Sequence, residues 1–138
     1  MADLPNKINL TIVTRERKII DTQVDEVILP ATDGEVGVLS GHTPLLTSLG
    51  IGQIRYRIGS RVERLVISWG FAEVLPDRVI VLAERGFLPT EVDRTTAEQD
   101  RIAAERELAD LSSNDPQFAL VEARLEESIA LINVHREH

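Results

Sequence analysis

Apolar and polar positions alternate with a period of two through residues 1–90, the spacing of strands with one buried face. Ile8, Leu10 and Ile12 are separated by Asn9 and Thr11, while Ile54, Tyr56 and Ile58 face away from Gln53, Arg55 and Arg57. Val27-Ile28-Leu29, Val36-Gly37-Val38-Leu39, Leu65-Val66-Ile67 and Val79-Ile80-Val81-Leu82 are short β-branched runs. Asp33-Gly34, Gly50-Ile51-Gly52, Gly59-Ser60 and Pro76-Asp77 read as turns between them, because these residues supply the backbone angles that tight turns demand. Gly59-Ser60 suits a two-residue hairpin. Short strands punctuated in this way predict an antiparallel sandwich or barrel.

The period changes after Pro89. Asp93 or Thr95 can cap a helix entering Ala97, in a run rich in Ala, Glu and Arg that holds no Gly or Pro through Leu111. Ser112-Ser113-Asn114-Asp115-Pro116 breaks it, and Asp115 with Pro116 at the first position opens a second helix. Phe118, Val121, Leu125, Ile129 and Ile132 form one apolar stripe; Ala97, Ala104, Leu108 and Leu111 form a narrower one. Two such helices joined by a short turn pair as an antiparallel hairpin, and stripes this thin leave it marginally stable alone.

Composition sharpens this picture in two ways. Aromatic residues are 4% of the chain, so the core is built from Ile, Val and Leu, and the absence of cysteine excludes disulfides, Cys-ligated zinc and thiol chemistry. The net charge of −8 is unevenly spread. Residues 1–90 carry 10 Lys/Arg against 11 Asp/Glu, and residues 91–138 carry 5 against 12, so the body is near neutral and the tail is at −7. Neither part has the basic patch that nucleic acid or an anionic membrane requires. Met1 to Lys7 lacks a basic region followed by an apolar run, and no stretch approaches the ~18 apolar residues of a membrane span, so a soluble chain without direct membrane insertion is expected.

Catalytic patterns are absent. The only lysines, Lys7 and Lys18, follow no Gly-rich turn, and Arg55 stands where a dinucleotide fingerprint opening at Gly50-Ile51-Gly52 needs its third glycine. Ser40 lacks the flanks of a nucleophile elbow, and His42 is far in sequence from His135 and His138. A plain loop role for His42 and a solvated face for the acidic helices are the simpler readings. No catalytic, cofactor or metal residue is therefore expected. One segment is less ordinary. From Leu29 to Leu46, three glycines and two prolines alternate with apolar residues, which predicts a tight hairpin and a rigid loop presenting Glu35 and His42 for docking.

Within it, Gly34-Glu35-Val36-Gly37 is followed by Gly41-His42-Thr43-Pro44-Leu45-Leu46. Then come Gly52-Gln53-Ile54-Arg55, Gly70-Phe71-Ala72-Glu73-Val74, Val79-Ile80-Val81-Leu82-Ala83-Glu84 and the hairpin with its Ser112-Ser113 turn. In this order, over essentially the whole chain, these segments resemble the epsilon subunit of F-type ATP synthases (delta in mitochondria). The resemblance implies a β-sandwich of two five-stranded antiparallel sheets in residues 1–90, followed by a C-terminal α-helical hairpin in residues 91–138. It implies a non-catalytic subunit of the rotor stalk, peripheral on the cytoplasmic face of a cell inner or thylakoid-type membrane, coupling proton translocation to ATP synthesis. The implied partners are the gamma subunit and the c-ring, with Glu35, Gly37, His42, Pro44 and Leu45 as contacts. The helices would reach the catalytic alpha/beta head transiently and restrain hydrolysis.

Three departures from the family pattern stand out. Trp69 occupies a position where the family has glycine. The last helix holds Arg124 and Arg136 against Glu122, Glu126, Glu127 and Glu137, which weakens attraction to an acidic partner. Some bacterial relatives bind ATP through an Ile-Asp-x-x-Arg-Ala motif, and the matching stretch is Val92-Asp93-Arg94-Thr95-Thr96-Ala97. Thr96 lacks the charged fork of arginine, so no nucleotide cofactor is expected. The competing readings are a nucleotide-sensing regulatory module and a free-standing helical-hairpin adaptor.

Overall fold

The computed structural model describes residues 7–135; Arg136, Glu137 and His138, invoked above for charge and metal ligation, lie outside the described residues. Seven strands precede two helices: β1 (Ile8–Val13), β2 (Lys18–Val24), β3 (Glu26–Ala31), β4 (Gly34–Leu39), β5 (Leu45–Ile58), β6 (Arg61–Leu75) and β7 (Arg78–Phe87), then α1 (Arg94–Ala109) and α2 (Pro116–Asn133). The strands form one hydrogen-bonded sheet ordered β2-β1-β7-β6-β5-β3-β4.

That single sheet doubles over on itself. Across β5 and β6 the pairing runs Leu49 with Gly70 and resumes at Ile51 with Ser68; across β6 and β7 it runs Gly70 with Ala83 and resumes at Ser68 with Arg85. Gly50, Trp69 and Glu84 are left out, and they lie in a row across three strands. On either side of this row the buried face inverts: Leu65 and Ile67 point into the core on one side, Ala72 and Val74 on the other, with Leu49 and Ile54 inverting likewise in β5. A strand can reverse its faces only by stepping out of the pleat. Trp69 takes that step with φ of 58°, a left-handed conformation that costs a bulky residue about 1–2 kcal/mol. Gly70 must follow, because a Cβ there would sit 2.1 Å from the Leu82 carbonyl oxygen.

Three strands thus serve both layers. One layer holds β2, β1 and the near segments of β7, β6 and β5; the other holds β4, β3 and the far segments of the same three, five segments in each. This is the expected five-plus-five sandwich, reached with seven strands. Two details differ from expectation. Gly50-Ile51-Gly52 lies inside β5 at the crease and is not a turn between strands. β1 pairs with β7 in parallel, while the other pairs are antiparallel.

The Gly59-Ser60 turn joins Ile58 to Arg61, as expected. The core between the layers is aliphatic, with Ile8, Leu10, Ile12, Leu29, Ile54, Leu65 and Ile67 fully buried. Asp93 caps α1 by accepting the Thr95 and Thr96 amides, and Asp115 caps α2 by accepting that of Gln117, with Pro116 in the first turn. The helices pair with each other, and α2 lies on β5 and β6. Val66 is buried yet stands apart from the core cluster, so its cover is on the outer face, where α2 sits. The α2 stripe is rotated from expectation: Val121, Ser128 and Ile132 are buried, and Ile129 is exposed.

Candidate functional site

The five expected contact residues fall in two places. Glu35 and Gly37 belong to β4, an edge strand, at alternate positions of its outer face; neither is in a loop. Glu35 Oε2 accepts Arg55 Nη2 at 2.7 Å across the intervening strand β3. Gly37 stands opposite Ile28, which stands opposite Arg55, which stands opposite Arg64, a row across four strands. No atom lies within 4 Å of the place a Gly37 Cβ would take, and Gly37 is not among the residues with positive φ. The fold itself does not need glycine there. Glycine within a strand costs about 0.5–1 kcal/mol relative to alanine.

His42 and Pro44 lie beyond the other end of β4, in the connection to β5, and Leu45 is the first residue of β5. The loop is pinned at its base: Gly41 N–H donates to the Pro76 carbonyl at 2.7 Å, and His42 N–H donates to the Leu39 carbonyl at 3.2 Å. His42 Nδ1 lies 2.6 Å from the Thr43 carbonyl oxygen, which can only accept, so Nδ1 carries the proton and Nε2 is left for an outside group. Pro44 and Leu45 are exposed, as are Leu39 and Leu46. A pinned loop with four exposed apolar side chains in and beside it is suited to docking.

A second apolar surface was not foreseen. Phe71 and Leu82 pair across β6 and β7 on the outer face, 59% and 56% exposed, with Leu46 at 73% and Trp69 at 44% nearby. A groove of about 950 Å³ runs beside them, lined further by Arg15, Thr32, Ser48 and Glu84. The pattern did hold a signal: Phe71 and Leu82 are out of phase with the buried Ala72, Val74, Val81 and Ala83, so they had to face outward.

The stretch compared with an ATP-binding motif opens α1. Thr96 is already committed there, its hydroxyl donating to Asp93 Oδ2 at 3.1 Å. The neighbouring cleft of about 240 Å³ is lined by Glu91, Asp93, Asp100 and Glu127, with Arg85 the one cation among its described residues. Arg17 bonds Glu91 at 2.6 Å and holds its carboxyl below the ordinary value, helped by the Leu88 amide, so Glu91 is ionised at neutral pH. Four carboxylates repel a polyphosphate. Among the described residues no group of three or more His, Cys, Asp or Glu is placed to hold a metal ion, and no helix is long and apolar enough to cross a membrane.

Residues 7–89 match the family model of the ATP synthase delta/epsilon chain β-sandwich domain. The chain belongs to this family. It is 40% identical over 131 residues to the ATP synthase epsilon chain of Syntrophobacter fumaroxidans, covering 95% of this chain and 97% of that one. It is 38% identical over 128 residues to the epsilon chain of Dehalococcoides mccartyi, covering 93% and 91%. Among solved structures, a chain of the Euglena gracilis mitochondrial ATP synthase assembly of OSCP, F1 and c-ring superposes with a TM-score of 0.81 at 25% identity, covering 94% of this chain and 82% of that one. A chain of the Tetrahymena thermophila central stalk and c-ring assembly shares the fold alone, with a TM-score of 0.65 at 13% identity, covering 97% and 100%. Both epsilon-chain relatives align across sandwich and hairpin together, so the two parts travel as one family unit.

Proposed function

We infer that the chain is the epsilon subunit of a proton-translocating ATP synthase, a non-catalytic part of the central stalk that couples proton flow to ATP synthesis. The observation that carries this reading is the 40% identity to an epsilon chain over 131 residues, and the exposed apolar surfaces support it. The subunit sits peripherally at the cytoplasmic face through its partners. The β4 face with Glu35 and Gly37, together with the His42-Pro44-Leu45 loop, faces the polar loops of the c-ring. The Leu46, Trp69, Phe71 and Leu82 surface, too apolar to stand in water, meets the gamma subunit. The hairpin, residues 91–138, is a separable arm that restrains hydrolysis when it reaches the alpha/beta head.

Crosslinking tests the assignment in a chain that has no cysteine of its own. Cysteine in place of Glu35 is expected to crosslink to subunit c in assembled membranes; crosslinks confined to head subunits would overturn the reading. Gly37→Ala is expected to leave the isolated fold as stable or up to about 1 kcal/mol more stable, yet to weaken retention on the complex. Undiminished retention removes Gly37 from the interface.

A further inference from the structure

The hairpin meets the sandwich through α2, and one carboxylate carries the polar part of that meeting. Glu127 Oε2 accepts the Ser68 hydroxyl of β6, and Oε1 pairs with Arg85 Nη1 of β7 at 3.0 Å. Among the described ion pairs this carboxylate is the most buried, with its side chain 16% exposed, and it makes the only pair between a strand and α2. Ser68 is the one buried polar residue of the sandwich. Arg85 is steadied from behind by the Phe87 ring, 5.1 Å from its guanidinium carbon. The apolar part of the contact includes Val66, which is buried outside the core cluster on the face where α2 lies. A covered carboxylate bonded from two strands contributes a charge-assisted tie that can decide how often the arm is down.

We propose that Glu127 is a clasp, held by Ser68 and Arg85, that sets the balance between a docked and a released hairpin. The inference rests on reading the hairpin as the movable arm of the stalk subunit. Its logic is two-sided. Docked, both oxygens of Glu127 are satisfied by two different strands. Released, Glu127 rejoins Glu122 and Glu126 on a helix whose described part then carries only Arg124 in opposition, a face that an acidic surface repels. The same side chain thus favours the docked state and penalises the extended one.

Two cysteines, replacing Ser60 in the β5–β6 turn and Leu120 on the exposed side of α2, would be the only thiols of the full chain and can carry spin labels. Pulsed dipolar spectroscopy of the isolated subunit is expected to give one short-distance population. In Glu127→Gln and Glu127→Ala the longer-distance population should rise on the order of tenfold relative to the docked one, and Arg85→Glu should do the same. The reversed pair, Arg85→Glu with Glu127→Arg, should restore docking, which a merely structural role for either residue would not. The isosteric Glu127→Gln keeps the readout should Glu127→Ala fail to fold. Unchanged distances in Glu127→Gln and Arg85→Glu, or a reversed pair as loose as the single variants, would overturn the clasp. None of these readings depends on assembly, so a failure here is distinct from a failure of the Glu35 crosslink.

Discussion

The sandwich and the hairpin are built on opposite terms. The sandwich buries Ile, Leu and Val between two layers that share three strands, so each buried side chain touches partners from distant parts of the chain. The hairpin buries Ala97 and Ala104 from one helix and Val121, Ser128 and Ile132 from the other. Apolar burial stabilises by roughly 25 cal/mol per Å², so alanines contribute little, and helices this lightly packed depend on caps, ion pairs such as Arg124–Glu107, and the surface beneath them. The difference teaches where each part finds its packing partners: the sandwich between its own two layers, the hairpin in few buried side chains and in the surface beneath it.

The largest expected difference is in the core. Leu65→Ala, at a fully buried position opposite Ile54, should cost about 2–5 kcal/mol and lower the urea midpoint of the whole sandwich. Val121→Ala should cost roughly 1–2 kcal/mol and act on the hairpin alone. The chain supplies two probes: Trp69, its one tryptophan, reports the sandwich by fluorescence, and far-ultraviolet dichroism reports mainly the helices. In the Val121 variant the two transitions should separate; coincident curves would show that both parts unfold as one unit. A smaller effect follows from removing the hairpin. A chain ending at Thr90 should still unfold cooperatively, with its midpoint lowered by the uncovering of Val66 and Ser68. A molten fragment would mean that α2 belongs to the core.

The smallest expected effect is electrostatic and lies within the sandwich. Lys7 bonds Asp25 at 2.6 Å, and the Gly59 amide donates to the same carboxylate, together holding its carboxyl below the ordinary value. A carboxyl lowered in the folded state stabilises above its unfolded value of about 3.9 and loses that contribution as pH falls through the folded one. Asp25→Asn should therefore destabilise slightly near pH ~6 and converge with the parent chain toward pH ~3. A gap that stays constant down to pH ~3 would assign the effect to lost packing.

These contrasts also explain what could be read in advance. Strands whose alternation is clean, such as Ile8–Val13 and the Gln53–Ile58 stretch, were legible because burial on one face writes itself into every second residue. β2 was not legible: Lys18, Asp21 and Gln23 occupy an edge strand whose partner, β1, supplies the order that its own composition does not. The crease was misread as a turn because Gly50-Ile51-Gly52 has turn chemistry; what keeps the strand running is pairing with β6, a tertiary fact. The start of the second helix was legible from Asp115 and Pro116, which act locally, while the first was narrowed to Asp93 or Thr95 and is capped by Asp93. The inward face of α2 was legible only in part, because Ser128 is buried through its bond to the Leu125 carbonyl and no hydropathy pattern marks it. Of the candidate site, the His42 loop was readable as a rigid motif. Gly37 was legible as part of the Val36-Gly37-Val38-Leu39 run, whereas Glu35 was assigned to a loop because the Asp33-Gly34 turn signal adjoins it. Phe71 and Leu82 were visible as out-of-phase residues, but their proximity to Trp69 depends on the crease.

The crease at Gly50, Trp69 and Glu84 has a mechanical consequence. In two separate sheets pressed face to face, a sideways force on one is resisted by side chains that can slide over one another. Here three polypeptide segments run unbroken from one layer into the other, so shear is carried as tension along covalent backbone and its flanking hydrogen bonds. The sandwich is a stiff strut, able to pass a twisting force from the His42 end to the opposite layer with little give. The stretch that follows the last strand adds to the strut, since its single turn at Pro89–Glu91 is tied back to the sandwich through Arg17 and Glu91.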